Sequence, residues 1–281
     1  MPSAISRRAA LRASALCALG LALPRRGWSR VDAPTRDPEV TAHFPHIDPE
    51  VVAQVVGRSH FDLEGVKALV EPRPELARSV WEWRFSDFES AIGAASHVGR
   101  RDIALYLMDK GARPTLFTFA MLGAHDVVQA AVAAAPGIQR TAGPHGISLL
   151  DHAHAGGRMQ GDMTAIQVED LRRTVALLEA LGDAGGPNYL EVSAEEQGKY
   201  LGDYHYGPGP EDGFTIDLNM RKLLALGPIG GAGGALYRIG PDTFIYNGAP
   251  SVTVTFHVRE GLVQALTLRE PSVEVTARKV S

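Results

Sequence analysis

The chain has 281 residues, enough for two modest domains, and its 45% apolar content permits a buried core and excludes wholesale disorder. A net charge of −4 supplies none of the basic excess that a nucleic-acid-binding surface needs. The single cysteine, Cys17, excludes an intrachain disulfide and a cysteine-based zinc site.

The first segment is SRRAALR (Ser6–Arg12), followed by an apolar run of 11 residues, Ala13–Leu23. That run is too short to span a bilayer, which takes about 20 residues, and has the length of a signal core. Arg7-Arg8 after Ser6, with Leu11 and Arg12 next, resembles the bacterial twin-arginine export signal. The expectation is a signal over 1–23, a mature chain without a membrane span, and a periplasmic or extracellular location. A misassigned N-terminus would make the protein cytoplasmic instead. Leu16 precedes Cys17 where a lipid-attachment cysteine follows a small residue, so lipidation is not expected. Residues 24–45 read as a linker rich in Pro and charge.

From residue 46 to 186 one pattern recurs. DLEGVKALV (Asp62–Val70), RRDIALYLM (Arg100–Met108), AHDVVQAAV (Ala124–Val132) and DLRRTVALLEALG (Asp170–Gly182) each carry apolar residues on one helical face. A shorter helix rich in small residues precedes each: Pro49–Val56, Phe88–Val98, Thr115–Gly123 and Ser148–Gly157. Gly111 and Gly182 follow the second helices at the place of a left-handed cap. Ser148 stands where a hydroxyl can cap a helix N-terminus.

Gly146-Ile147-Ser148-Leu149-Leu150-Asp151-His152-Ala153 resembles the G-x-T-P-L-H-x-A word of ankyrin repeats, with Ser for Thr, Leu for Pro and Asp for His. Leu107-Met108-Asp109-Lys110-Gly111-Ala112 is similar to that family's second-helix ending. Matched positions Leu69, Leu107, Ala131 and Leu178 step by 38, 24 and 47 residues, against 33 in the family, so the array is degenerate. The resemblance implies an α-solenoid that recognises another protein and is not an enzyme. SVWEWRF (Ser79–Phe85) then reads either as an aromatic finger for a partner or as aromatic cover for the next helix. The candidate protein-binding residues are Trp81, Trp83, Phe85, His97, Arg100, Arg101, His145 and His152. The partner itself stays unidentified.

His145, Asp151, His152 and His154 crowd one corner. His152 and His154 are two apart and so leave a helix on different faces, so no metal set and no cofactor is expected there. The insertion after Gly157, Arg158–Asp170, keeps a metal-dependent hydrolase at this corner as a second alternative.

Beyond the Gly/Pro boundary at Gly182–Asn188 the period becomes two. Val252, Val254, Phe256 and Val258 alternate with Thr253, Thr255 and His257. Arg259-Glu260-Gly261 turns the chain, and Leu262–Glu270 runs back. Eight short strands over 195–281 predict a small antiparallel barrel or sandwich. The expected fold class is therefore α + β in separate domains. The words Tyr200-Leu201-Gly202-Asp203-Tyr204, Leu236-Tyr237-Arg238-Ile239-Gly240, Asp242-Thr243-Phe244, Val254-Thr255-Phe256 and Leu266-Thr267-Leu268 resemble the accessory domain of unknown function found after some bacterial serine β-lactamase-like hydrolases. That resemblance implies no catalytic residues here. A first alternative function is an apolar ligand inside the barrel, with Tyr204, Tyr206, Tyr237 and Tyr246 at its mouth.

Overall fold

The computed structural model describes residues 42–280. The expected signal over 1–23, and the linker up to residue 41, lie outside the described residues. Among the described residues no helix is long and apolar enough to cross a membrane.

Helices come first and in pairs. They are α1 (Pro49–Arg58) with α2 (Leu63–Val70), α3 (Ala91–Val98) with α4 (Arg101–Asp109), α5 (Leu116–Leu122) with α6 (His125–Ala134), and α7 (Leu149–Ala155) with α8 (Ala165–Leu181). Short side chains start most of them. Asp62, Ser90, Thr115, Ser148 and Thr164 each accept a hydrogen bond from a backbone N–H of the first turn that has no partner within the helix. α8 begins five residues ahead of the Asp170 start expected from the sequence, because Thr164 and Gln167 form a capping box there. The end of the expected insertion is thus helical.

The first helices α1, α3, α5 and α7 pack in a row, each against the next, and the second helices lie alongside. Small residues make this close stacking possible. A Cβ on Gly99 would sit 2.0 Å from the Ala155 carbonyl oxygen, and one on Gly156 would sit 2.1 Å from that of Met121. Ser96 Oγ donates to the Ile92 carbonyl at 2.6 Å and lies 3.0 Å from Thr118 Oγ1, so this buried polar pair between α3 and α5 is satisfied. Two apolar clusters result, one around Val55, Ile92, Ile103 and Leu107, the other around Ala120, Val128, Leu149 and Leu178.

Between α2 and α3 the chain forms a hairpin, β1 (Val80–Glu82) against β2 (Phe88–Ser90), with Trp81 opposite Glu89. β2 leads directly into the Ser90 cap of α3. At the hairpin tip Phe85 and Ser86 both adopt positive φ, 53° and 63°.

After α9 (Ala194–Tyr200) come β3 (Gly202–His205), β4 (Gly213–Leu218), β5 (Leu224–Pro228), β6 (Gly234–Arg238), β7 (Thr243–Tyr246), β8 (Ala249–Arg259), β9 (Leu262–Glu270) and β10 (Val273–Lys279). They form an antiparallel meander that closes when β10 pairs with β3, removing both edges. Tyr200, Tyr204, Phe244, Tyr246 and Phe256 fill the interior with Leu226, Val254 and Leu266, as an eight-stranded barrel allows. Val252, Val254 and Phe256 point inward as their alternation requires. Val258 does not, and is 44% exposed. A register shift between His257 and Val258 turns it outward.

From Pro45 onward the described residues form one compact unit, in which helices and barrel share contacts. Phe85 at the hairpin tip meets the Tyr246 ring edge-on at 4.9 Å, and Arg84 donates to the Ala232 carbonyl at 2.9 Å. Gly146 and Gly248 meet backbone to backbone, so that a Cβ on Gly248 would lie 2.4 Å from the Gly146 Cα.

Candidate metal centre

Three histidines and one glutamate converge where the hairpin, α3 and the turn before α7 come together. His60 follows the end of α1. Glu89 is the middle residue of β2. His97 stands in the last turn of α3, and His145 in the 3-10 turn Pro144–Gly146. One ligand atom from each lies within 4.8 Å of all the others. His97 Nε2 and His145 Nε2 stand 3.0 and 3.2 Å from Glu89 Oε1, and His60 Nε2 stands 3.4 Å from Glu89 Oε2. A tetrahedral ion with ligands at 2.0–2.1 Å needs donor atoms about 3.3 Å apart, close to the 3.0–3.4 Å at which the three Nε2 atoms stand from the Glu89 carboxylate.

Outer contacts hold the inner atoms in place. His60 Nδ1 lies 3.0 Å from the Gly57 carbonyl oxygen. A carbonyl can only accept, so Nδ1 carries a hydrogen and Nε2 is the ring nitrogen left to face the cluster. His145 Nδ1 donates to Asp87 Oδ2 at 2.7 Å, and its backbone N–H donates to Asp87 Oδ1 at 3.0 Å. This is the carboxylate–histidine pairing that orients imidazoles at metal centres. The Trp83 indole N–H donates to Glu89 Oε2 at 2.7 Å, which fixes the carboxylate and leaves Oε1 to face His97 and His145. His145 adopts a left-handed backbone, φ 60°, which its two bonds to Asp87 maintain.

Two of the converging atoms have no partner in hydrogen-bond geometry: Glu89 Oε1 and His97 Nε2. Glu89 is completely buried. Both atoms are nonetheless in ion-pair contact, Glu89 Oε1 with His97 Nε2 at 3.0 Å and with His145 Nε2 at 3.2 Å, and an ion at the centre would engage lone pairs that these contacts leave poorly aligned. Burial works against the charged Glu89, but the close contacts and charge of His145 and His97 hold it well below the usual carboxylate range. Burial also works against a charged His145, but Asp87 and Glu89 outweigh it and push the imidazole up to about 9. His97 is driven down by burial, which its contact with Glu89 only partly offsets. These directions describe the ion-free cluster, in which the protonated His145 ring is held between Asp87 and Glu89; an ion would have to displace the Nε2 hydrogen to bind there.

The residues expected from the sequence to bind a partner lie elsewhere than on a projecting finger. Trp81 and Trp83 pack against the first apolar cluster, and Phe85 packs against the barrel core. His97 and His145 belong to the cluster described above. Arg100 pairs with Asp102 at 2.6 Å, and Arg101 donates to the Leu122 carbonyl at 2.9 Å. His152 is buried on Phe117, donates from Nδ1 to the Ser148 carbonyl at 2.8 Å, and is pushed by burial down to about 4. Its neighbours in sequence diverge, with exposed Asp151 3.9 Å from Arg221 and exposed His154 3.5 Å from Glu179. So the crowded corner supplies only His145 to the cluster.

The four barrel tyrosines do not gather at one mouth. Tyr204 and Tyr246 belong to the filled interior, Tyr237 stacks on Tyr189 at 4.6 Å, and Tyr206 is half exposed beside Phe214. Local spacing carries no signal for His60 and Glu89, because the four clustered residues come from separate segments brought together by the packing of the hairpin, α1, α3 and the turn before α7. Comparison with protein-family models, curated proteins and solved structures gave no match for this chain.

Proposed function

We propose that this protein is a non-enzymatic, exported scaffold that holds one divalent transition-metal ion, zinc by preference, between His60, Glu89, His97 and His145. The observation that carries the reading is the convergence of four donor atoms, two of them buried without a hydrogen bond of good geometry, with the histidine and carboxylate orientations fixed from outside. Imidazole and carboxylate donors suit zinc and its first-row neighbours. Four protein donors fill a tetrahedral shell, as structural zinc centres do, and leave no position for a substrate. The row of helix pairs supports the ankyrin-like reading of the array, and with it a role in holding a partner protein.

Purified protein is expected to retain one equivalent of zinc per chain after dialysis against metal-free buffer, measured by mass spectrometry of the metal content. His97→Ala is expected to retain less than a tenth of that. Wild-type protein that is metal-free after purification, and that takes up no zinc from a chromophoric chelator, would overturn the reading.

A further inference from the structure

We infer that the barrel completes the metal centre from outside and that ion binding and barrel docking are coupled through Asn247. This inference rests on the metal reading above. Asn247 is the first residue of the β7–β8 turn, is 5% exposed and has a φ of 39°. The Asn247-Gly248 pair suits a turn with both central residues at positive φ. Its side-chain amide is spent twice. Oδ1 accepts from the Ala235 N–H at 3.1 Å, which ties the residue to the neighbouring barrel strand. Nδ2 donates to Asp87 Oδ2 and lies 2.9 Å from His145 Nδ1.

The chain of contacts is short and continuous. The barrel fixes Asn247. Asn247 fixes the carboxylate of Asp87, which in turn fixes the His145 ring and the His145 backbone N–H. The ring aims Nε2 at the centre. Two further contacts bind the same turn to the barrel: Tyr237 Oη donates to the His145 carbonyl at 3.2 Å, and Gly146 rests against Gly248. His145 stands among the ligands as the one whose orientation depends on barrel residues. The other outer contacts, Gly57 to His60 and Trp83 to Glu89, come from the helical half and its hairpin.

Asn247 is therefore a positioning residue. Without the barrel amide Asp87 can turn, the strained His145 backbone loses its support, and the fourth ligand drifts. Outer-sphere partners of metal ligands are worth about 10- to 100-fold in affinity. Binding free energies are reciprocal, so the ion must tighten barrel docking by the same factor.

The test uses the full chain and Co(II) as the probe, with affinity read by chelator competition and geometry by the visible absorption of the bound ion. Asn247→Gly keeps a turn that tolerates positive φ and removes the amide. Its Co(II) affinity should fall about 10- to 100-fold, and the absorption band should change shape as His145 moves, with far-UV circular dichroism unchanged. A second measurement needs no variant at this position. Zn(II) should slow hydrogen exchange at 143–148 and 246–248 in the wild type and leave both segments unaltered in Glu89→Gln. Wild-type protein that binds Co(II) while Asn247→Gly matches it in affinity and spectrum overturns the coupling alone. Should Asn247→Gly fail to fold, unchanged exchange on zinc addition overturns it. Wild-type protein that binds no Co(II) overturns both this inference and the metal reading.

Discussion

Glu89→Gln is expected to abolish stoichiometric metal binding and to lower the stability of the metal-free protein by about 3 kcal/mol, the scale seen when one partner of a buried ion pair is removed. The substitution conserves volume, and the amide oxygen can still accept from Trp83. What it removes is the charge. In the native protein Glu89 is wholly buried with His145 at 3.2 Å and His97 at 3.0 Å. Glutamine would present an N–H₂ or a neutral oxygen to an imidazolium that is already buried, and it would offer an ion no anionic donor. The two losses separate in one experiment. Urea unfolding is measured with and without excess Zn(II). Wild-type protein should gain about 4 kcal/mol when free zinc exceeds its dissociation constant a thousandfold, and Glu89→Gln should gain nothing. Equal zinc responses in the two proteins would remove Glu89 from the ligand set.

The second large effect belongs to the stacking of the first helices. Gly99→Ala should destabilise the fold by about 3 kcal/mol, about 1–2 from the left-handed backbone and a further 1–3 from overpacking. Gly99 closes α3 at φ 76°, and a Cβ there would lie 2.0 Å from a backbone oxygen that has no room to withdraw. Gly111 provides the control. Its φ is 89°, yet nothing lies within 4 Å of an added Cβ. Gly111→Ala should therefore incur only the backbone cost of about 1–2 kcal/mol. The difference between the two urea midpoints isolates the close approach of α3 to α7. Equal midpoints would mean that the helices tolerate a wider spacing.

Local chemistry was legible in the chain wherever one segment determined its own conformation. Gly111 and Gly182 take positive φ as cap positions do, and Ser148 caps α7 through the Asp151 N–H. The strand at Val252–Phe256 follows its alternation because one face meets the barrel interior. Where neighbours decide, the sequence was silent. Val258 continues the alternating pattern, but a register shift against β9 turns it out. SVWEWRF reads either as an aromatic finger or as aromatic cover, and it takes neighbours to place it: Trp81 and Trp83 pack on the helical core, Trp83 bonds Glu89, and Phe85 meets Tyr246. His97 and His145 stood out as surface candidates for a partner, and both are drawn into the cluster by residues outside their own segments. His60 and Glu89 carry no local signature, because a cluster assembled from a loop, a strand, a helix end and a turn has no fixed spacing to read.

On the metal reading, four named atoms converge on one ion. The measurement that tests it most directly is anomalous diffraction at the zinc edge, on crystals of the full chain grown with one equivalent of zinc. The expected result is a single strong peak about 2.0–2.2 Å from Glu89 Oε1 and from the Nε2 atoms of His60, His97 and His145. A peak at any other group of side chains, or no peak within reach of Glu89, would contradict it.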